Sequence, residues 1–208
     1  MYGLPARGFD GSTPPDSSIE AMAAHCVRNM RQVQARGPYL LAGYCSGAYI
    51  AFEMARQLCE HGDSVELLAL CDSLAPGFHP LELAQTVQTF LRLKNVRLVQ
   101  QRIYRFVLQN LRLSHLRVFR AVSEAHYWAF LSYRPPPYPG GAVVLRPTET
   151  GASRRPGLGW ERLVRCGVDI CLIPTGHAAM VREPGVRILA EKLETYLRRT
   201  ALPLARCS

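Results

Sequence analysis

The 208-residue sequence lacks any apolar run long enough to cross a bilayer, and no signal-peptide stretch opens it. It also lacks metal-type spacing. Its seven cysteines stand apart at Cys26, Cys45, Cys59, Cys71, Cys166, Cys171 and Cys207, and no His/Cys/Asp cluster falls at ligand distance along the chain, so no metal is expected. An odd, scattered set of thiols predicts reduced cysteines in a cytoplasm and excludes a disulfide framework. There is no internal repeat, no nucleic-acid motif and no aromatic platform interleaved with basic residues. Acidic residues are few: 16 Asp and Glu face 25 Lys and Arg, a formal charge of +9. That excess suggests an acidic partner: nucleic acid, for which the chain has no motif, a membrane surface or an acidic protein.

The content that is present suits one domain over residues 1–208, since 48% of the residues are hydrophobic. Tyr2–Gly8 reads as the tail of a strand running into a loop, and Asp10–Asp16 as irregular. Ser17 followed by Glu20 forms a capping box. The helix behind it repeats Ile19, Met22, Ala23, Cys26, Val27, Met30 and Val33 at helical spacing, which marks a core face. Gly37-Pro38 ends it. Val65–Cys71 is a buried parallel strand by its near-continuous apolar character, and Ala142–Arg146 and Val168–Ile173 are further strands. Trp160–Val164 reads as a helical turn. Val186–Arg199 closes the chain as a helix with Ile188, Leu189, Leu193, Tyr196 and Leu197 inward. Strands alternating with helices predict an α/β fold: a mostly parallel sheet with helices on both faces, whose ligands meet the carboxyl ends of the strands.

The stretch around residues 38–47, P-Y-L-L-A-G-Y-C-S-G, organises this pattern. Leu40 and Leu41 form the apolar core of a short buried strand, Gly43-Tyr44-Cys45-Ser46-Gly47 a sharp turn, and Ala48–His61 a helix. This is the nucleophile elbow G-x-S-x-G with cysteine at its centre. The nucleophile occupies a strained turn, and the two glycines are expected to let strand and helix pass closely. The helix N-terminus aims N–H groups and partial positive charge at the site, which favours a thiolate and then an oxyanion.

A cysteine nucleophile needs a base, and the base needs an orienting acid. His177 lies in the loop between the last strand and the last helix, where the order Cys, Asp, His places the base. Two carboxylates compete as the acid. Asp72 stands directly at the end of the strand beside the elbow; Glu149 follows the strand Ala142–Arg146 in a loose Thr/Gly/Ser stretch and is the alternative. Asp72 is preferred because it is short and tied to a strand end.

Between Asp72 and Ala142, residues 79–133 change character to helices with long side chains. Arg92, Lys94, Arg97, Arg102, Arg105, Arg112, Arg117 and Arg120 supply charge, and no Asp or Glu lies among them. Val99, Ile103, Phe106, Val107, Leu111 and Leu113 supply an apolar face. An amphipathic helical insertion at this edge of a sheet reads as a lid.

Four blocks carry a family resemblance: Y-G-L-P-A-R-G-F-D-G at the start, G-P-Y-L-L-A-G-Y-C-S-G-A-Y-I-A-F-E-M-A-R-Q-L at the elbow, L-A-L-C-D-S-L-A-P-G after it, and L-G-W-E-R-L with I-P-T-G-H-A-A-M-V-R-E-P near the end. In that order they resemble the thioesterase domains of nonribosomal peptide and polyketide synthases. The resemblance implies an α/β-hydrolase fold with a helical lid, and a triad of Cys45, Asp72 and His177. It further implies an acyl or peptidyl substrate, thioester-linked to the phosphopantetheine arm of a carrier protein, with no cofactor bound by the domain itself. Carrier proteins are generally acidic, which suits Arg97, Arg102 and Arg105 as docking residues. The chain departs from the family in three ways. Cysteine replaces the usual serine, Gly176 stands where an acidic residue normally precedes the histidine, and the strand and Gly-rich loop expected ahead of Tyr2 are missing. That loop normally gives one oxyanion donor; the other is the backbone N–H of Ser46. Two further readings stay open, a catalytically crippled domain that binds a carrier protein or acyl chain, and a stand-alone editing thioesterase.

Overall fold

In the computed structural model of the chain the described residues are 2–77, 122, 125–126, 129–149 and 156–200. They fall into two compact units, one comprising Met1–Ser18 and Pro76–Tyr133, the other Ile19–Ala75 and Arg134–Ser208. The expected lid over 79–133, with Arg97, Arg102 and Arg105, lies almost wholly outside the described residues.

In the second unit the element order is α1 (Ile19–Val33), β1 (Tyr39–Tyr44), α2 (Gly47–Glu60), β2 (Val65–Cys71), β3 (Ala142–Pro147), a 3₁₀ turn (Trp160–Arg162), β4 (Val168–Ile173) and α3 (Gly185–Thr200). The four strands form one parallel sheet in the order β1-β2-β3-β4. Its register aligns Tyr44 with Cys71, Cys71 with Leu145, and Leu145 with Cys171, so the carboxyl ends of all four strands finish at one edge.

Both faces of β2 and β3 are covered, which is why these strands read as unbroken apolar runs rather than alternating ones. On one face α2 packs against β1 and β2, with α1 laid on α2. On the other, Leu67, Ala69, Cys71, Val143, Leu145, Cys171 and Ile173 meet Met180 and Leu189, and α3 adds Ile188, Leu193 and Tyr196. Burial of each large apolar side chain in such a core stabilises by about 1.5–3 kcal/mol. The helix α2 is buried further round than one amphipathic stripe. Tyr49, Phe52 and the fully buried Glu53 join Ala51, Met54, Ala55 and Leu58, and Ile50 is only half-buried. Glu53 is matched by a two-bonded ion pair with Arg56, at 2.8 and 2.9 Å, which satisfies a carboxylate that water cannot reach.

Several expectations shift at the ends of elements. Tyr2–Gly8 forms no strand. Its residues are mostly exposed, and turns close Ala6 to Phe9 and Gly8 to Gly11. Val33 is 60% exposed and Leu197 37%, because each belongs to the last turns of its helix, where the partner surface has run out. Leu40, expected to be buried, is 51% exposed, on a strand whose side chains alternate between buried and exposed. Cys26, Cys45, Cys59, Cys71 and Cys171 are free thiols. Cys166 is disulfide-bonded, contrary to the expectation of reduced thiols throughout; it occupies a half-exposed turn.

Candidate active site

The elbow follows from β1 entering a parallel sheet and reversing at once into α2. Cys45 sits at φ 54°, in the left-handed region that L-residues rarely occupy, at a cost of about 1–3 kcal/mol. Its N–H donates to the carbonyl of Cys71 at 2.9 Å, which ties the elbow to the end of β2 and leaves the side chain exposed. Gly43 is required here: a Cβ on it would overlap the main chain of Gly47 and lie 2.6 Å from Cα of Ala48. The expectation of a steric need at both glycines holds only for this one, since a Cβ on Gly47 would meet nothing within 4 Å. Ser46 is the N-cap of α2 at φ −62° and ψ −26°, and makes no side-chain cap. Its backbone N–H has no acceptor among the described residues, so a donor stands free at the helix N-terminus.

Asp72 is a second non-glycine residue at positive φ, 43°. Its N–H donates to the carbonyl of Leu145 at 2.8 Å, holding it on the sheet edge between β2 and β3. The carboxylate, with only 11% of the side chain exposed, accepts a hydrogen bond at Oδ2 from Nδ1 of His177. A carboxylate only accepts, so the bond places an N–H on Nδ1. Glu149 takes a different place. Its N–H donates to the carbonyl of Thr175 at 3.3 Å, and its Oε2 lies 3.2 Å from where a Cβ on Gly176 would be. It reaches the neighbour of His177 and forms no hydrogen bond with the imidazole. The absence of a side chain at Gly176 is what makes room for it.

His177 is 43% exposed on the side chain and is held by more than Asp72. The ring of Tyr44 stacks on it, with centroids 5.0 Å apart and planes at 22°. The Tyr44 hydroxyl donates to the main-chain carbonyl of His177 at 2.8 Å. Burial, with the Cys45 thiol and the Asp72 carboxylate adding to it, raises the Tyr44 phenol above its usual value, so it remains a neutral donor. The thiol of Cys45 makes no hydrogen bond to His177.

Trp160 completes the arrangement. It is fully buried beneath α2, edge-on to Tyr49 at 5.8 Å and tilted against Phe52 at 5.1 Å. Its indole N–H donates to the carbonyl of Ser73, at 2.7 Å, directly after Asp72. Ala75 donates to Leu158, which, with φ 55°, is the third non-glycine residue in the left-handed region. Neither Tyr44 nor Trp160 was singled out as a site residue from the sequence. Both lie inside the quoted blocks, and only their long-range partners give them a role. Among the described residues no group of three or more His, Cys, Asp or Glu is placed to hold a metal ion, and no helix is long and apolar enough to cross a membrane.

The comparisons with known proteins agree with this architecture. The thioesterase domain model matches residues 1–197. Aspulvinone E synthetase melA of Aspergillus terreus is 44% identical over 68 residues, which cover 33% of this chain and 7% of that protein. Polyketide synthase PksR of Bacillus subtilis is 40% identical over 73 residues, 35% of this chain and 3% of that one. The chain thus spans a small fraction of these large synthases. Among solved structures, a covalent complex of the NocB thioesterase domain with a fluorophosphonate nocardicin G analog has a TM-score of 0.67 at 26% identity, covering 93% of this chain and 81% of that one. With a parallel sheet, an elbow and a sheet-edge His–Asp pair of this kind, and a family model matched over nearly its whole length, the chain belongs to the thioesterase domain family of the α/β-hydrolase fold.

Proposed function

We propose that this chain releases an acyl or peptidyl chain from the phosphopantetheine thioester of a carrier protein, through an acyl-enzyme on Cys45. The observation that carries the reading is the His177–Asp72 hydrogen bond at the strand edge where the elbow presents an exposed Cys45. The relatives are multidomain synthases, which supports a carrier protein within the same assembly as the partner, and the charge of +9 suits an acidic one. The NocB thioesterase domain forms a covalent complex with a fluorophosphonate, which supports a covalent route for this chain as well.

In the first step Nε2 of His177 takes the thiol proton, and Sγ of Cys45 attacks the thioester carbonyl carbon. Substrate binding brings thiol and imidazole together, since catalytic hydrogen bonds in unliganded sites are often longer than in the reacting complex. The oxyanion that forms meets the free N–H of Ser46. Collapse breaks the bond to the pantetheine sulfur, which leaves with the proton from His177. In the second step His177 takes a proton from water, or from an amine or hydroxyl of the bound chain. That nucleophile attacks the acyl-enzyme, and Cys45 departs as thiol. Exchange of one thioester for another is nearly thermoneutral, so an acyl group on cysteine keeps driving force that an ester on serine would lose. Aminolysis and ring closure gain from this; hydrolysis is the default.

The test is intact-protein mass after brief exposure to a short acyl thioester, wild type beside Cys45→Ala. An acyl adduct on the wild type alone is expected. No adduct on either, with both folded by circular dichroism, overturns the reading in favour of a domain that binds a carrier protein or acyl chain without reacting.

A further inference from the structure

Tyr44 is placed by the sheet. Along β1 the side chains alternate, so Tyr39, Leu41 and Gly43 turn toward α2 while Tyr44 belongs to the opposite face, in the row Tyr44, Cys71, Leu145, Cys171. There it packs against the cluster that α3 covers, beneath the loop joining β4 to α3. His177 is on that loop. Tyr44 touches it twice, ring to ring at 5.0 Å and hydroxyl to carbonyl at 2.8 Å. The same carbonyl accepts the N–H of Met180 at 3.3 Å, so the loop is fixed from both sides.

One hydrogen bond does not orient an imidazole. The bond from Nδ1 to Asp72 restrains one ring atom and still lets the ring plane rock by coupled rotation about χ1 and χ2, the more so because the side chain is nearly half exposed. A flat aromatic face lying 22° from parallel removes that rotation. The hydroxyl fixes the backbone from which the ring hangs.

We propose that Tyr44, the residue before the nucleophile, is the positioning residue for His177, holding its ring plane so that Nδ1–H stays on Asp72 and Nε2 faces Cys45. This inference deepens the triad reading and rests on it. The elbow thereby orients both partners of the first proton transfer: Cys45 by its strained backbone and His177 by the side chain of the preceding residue.

The test uses Tyr44→Phe, which keeps the stack and loses the hydroxyl, and Tyr44→Leu, which loses both. Two readouts are taken: the side-chain nitrogen shifts of His177 by NMR, which report tautomer independently of turnover, and the rate of Cys45 acylation by an acyl N-acetylcysteamine thioester. Tyr44→Phe is expected to keep the wild-type tautomer. Tyr44→Leu is expected to show mixed tautomers and acylation slowed about 10- to 100-fold, with apparent KM moved less than about threefold. If Tyr44→Leu does not fold, Tyr44→Met, of similar volume and without an aromatic face, replaces it. Wild-type tautomer and rate in the non-aromatic variant overturn the proposal. His177→Ala separates the two ideas. If it acylates at the wild-type rate, the triad reading itself fails; if it is inert while the non-aromatic Tyr44 variant is normal, only the role of Tyr44 fails.

Discussion

The indole N–H of Trp160 donates to the carbonyl of Ser73, 2.7 Å away and 87 residues earlier in the chain. The acceptor is buried and follows Asp72, whose own backbone is held at positive φ. Trp160→Phe keeps an aromatic ring in the cluster and leaves that carbonyl without its donor, so a loss of about 1–3 kcal/mol is expected. Denaturant melting checks the stability. The orienting carboxylate is anchored through this turn, so acylation of Cys45 should slow as well. A variant with wild-type acylation and only a lower melting midpoint would confine Trp160 to the core.

Asp72 and Glu149 approach the same loop and are not equivalent. Asp72→Asn replaces an acceptor-only carboxylate by an amide that can also donate, so the Nδ1–H tautomer of His177 is no longer enforced. A drop of about 10⁴-fold in the rate of acyl release is expected by analogy with serine-protease triads. Glu149→Gln alters an exposed carboxylate that makes no bond to the imidazole, so stability should stay within about 0.5 kcal/mol and the rate should stay near wild type. Comparable losses in the two variants, read from single-turnover rates, would show that both carboxylates serve the histidine.

The elbow glycines should separate cleanly. A methyl on Gly43 would run into the backbone of Gly47 and Ala48, which cannot move without parting β1 from α2. Gly43→Ala is therefore expected to be insoluble or strongly destabilised. Gly47→Ala adds its methyl to open space and should fold normally, with a small gain in helix propensity at the start of α2. Equal expression and melting of the two variants would contradict the close crossing.

Stability should fall on the alkaline side. Burial pushes the Cys71 thiol up to about 12, with Asp72 and Cys171 contributing, and burial raises the Tyr49 and Tyr138 phenols as well. In the unfolded chain a thiol ionises near pH 8.5 and a phenol near pH 10. Above those values the unfolded state binds fewer protons than the folded one. The stabilising preference is thus complete at neutral pH and is lost as pH rises toward the folded values. Urea unfolding from pH 7 to pH 10.5 should show a flat region and then a descending limb. In Cys71→Val that limb should be shallower by up to about 1.4 kcal/mol per pH unit. An identical limb would place the alkaline sensitivity elsewhere.

Much of this was legible locally. Apolar runs bounded by Gly, Pro and Asp marked β2, β3 and β4 to within a residue, because a strand buried on both faces has little freedom in composition. The elbow was legible because a strained turn between strand and helix demands glycine at one specific crossing. What period and composition could not carry was the reach of pairs far apart in the chain. The bond between Asp72 and His177 spans 105 residues, that between Tyr44 and His177 spans 133, and neither leaves a periodic trace.

Sequence by itself determined the alternating elements, the position of the cysteine and the set of titratable groups, since these follow from local sterics and burial. Tertiary structure decided that Gly43 and not Gly47 is sterically required, that Asp72 rather than Glu149 bonds the imidazole, and that Tyr44 stacks on His177 while Trp160 bonds the turn after Asp72. Those outcomes depend on strand register, which brings Tyr44, Cys71, Leu145 and Cys171 into one row and so sets which side chains meet at the edge.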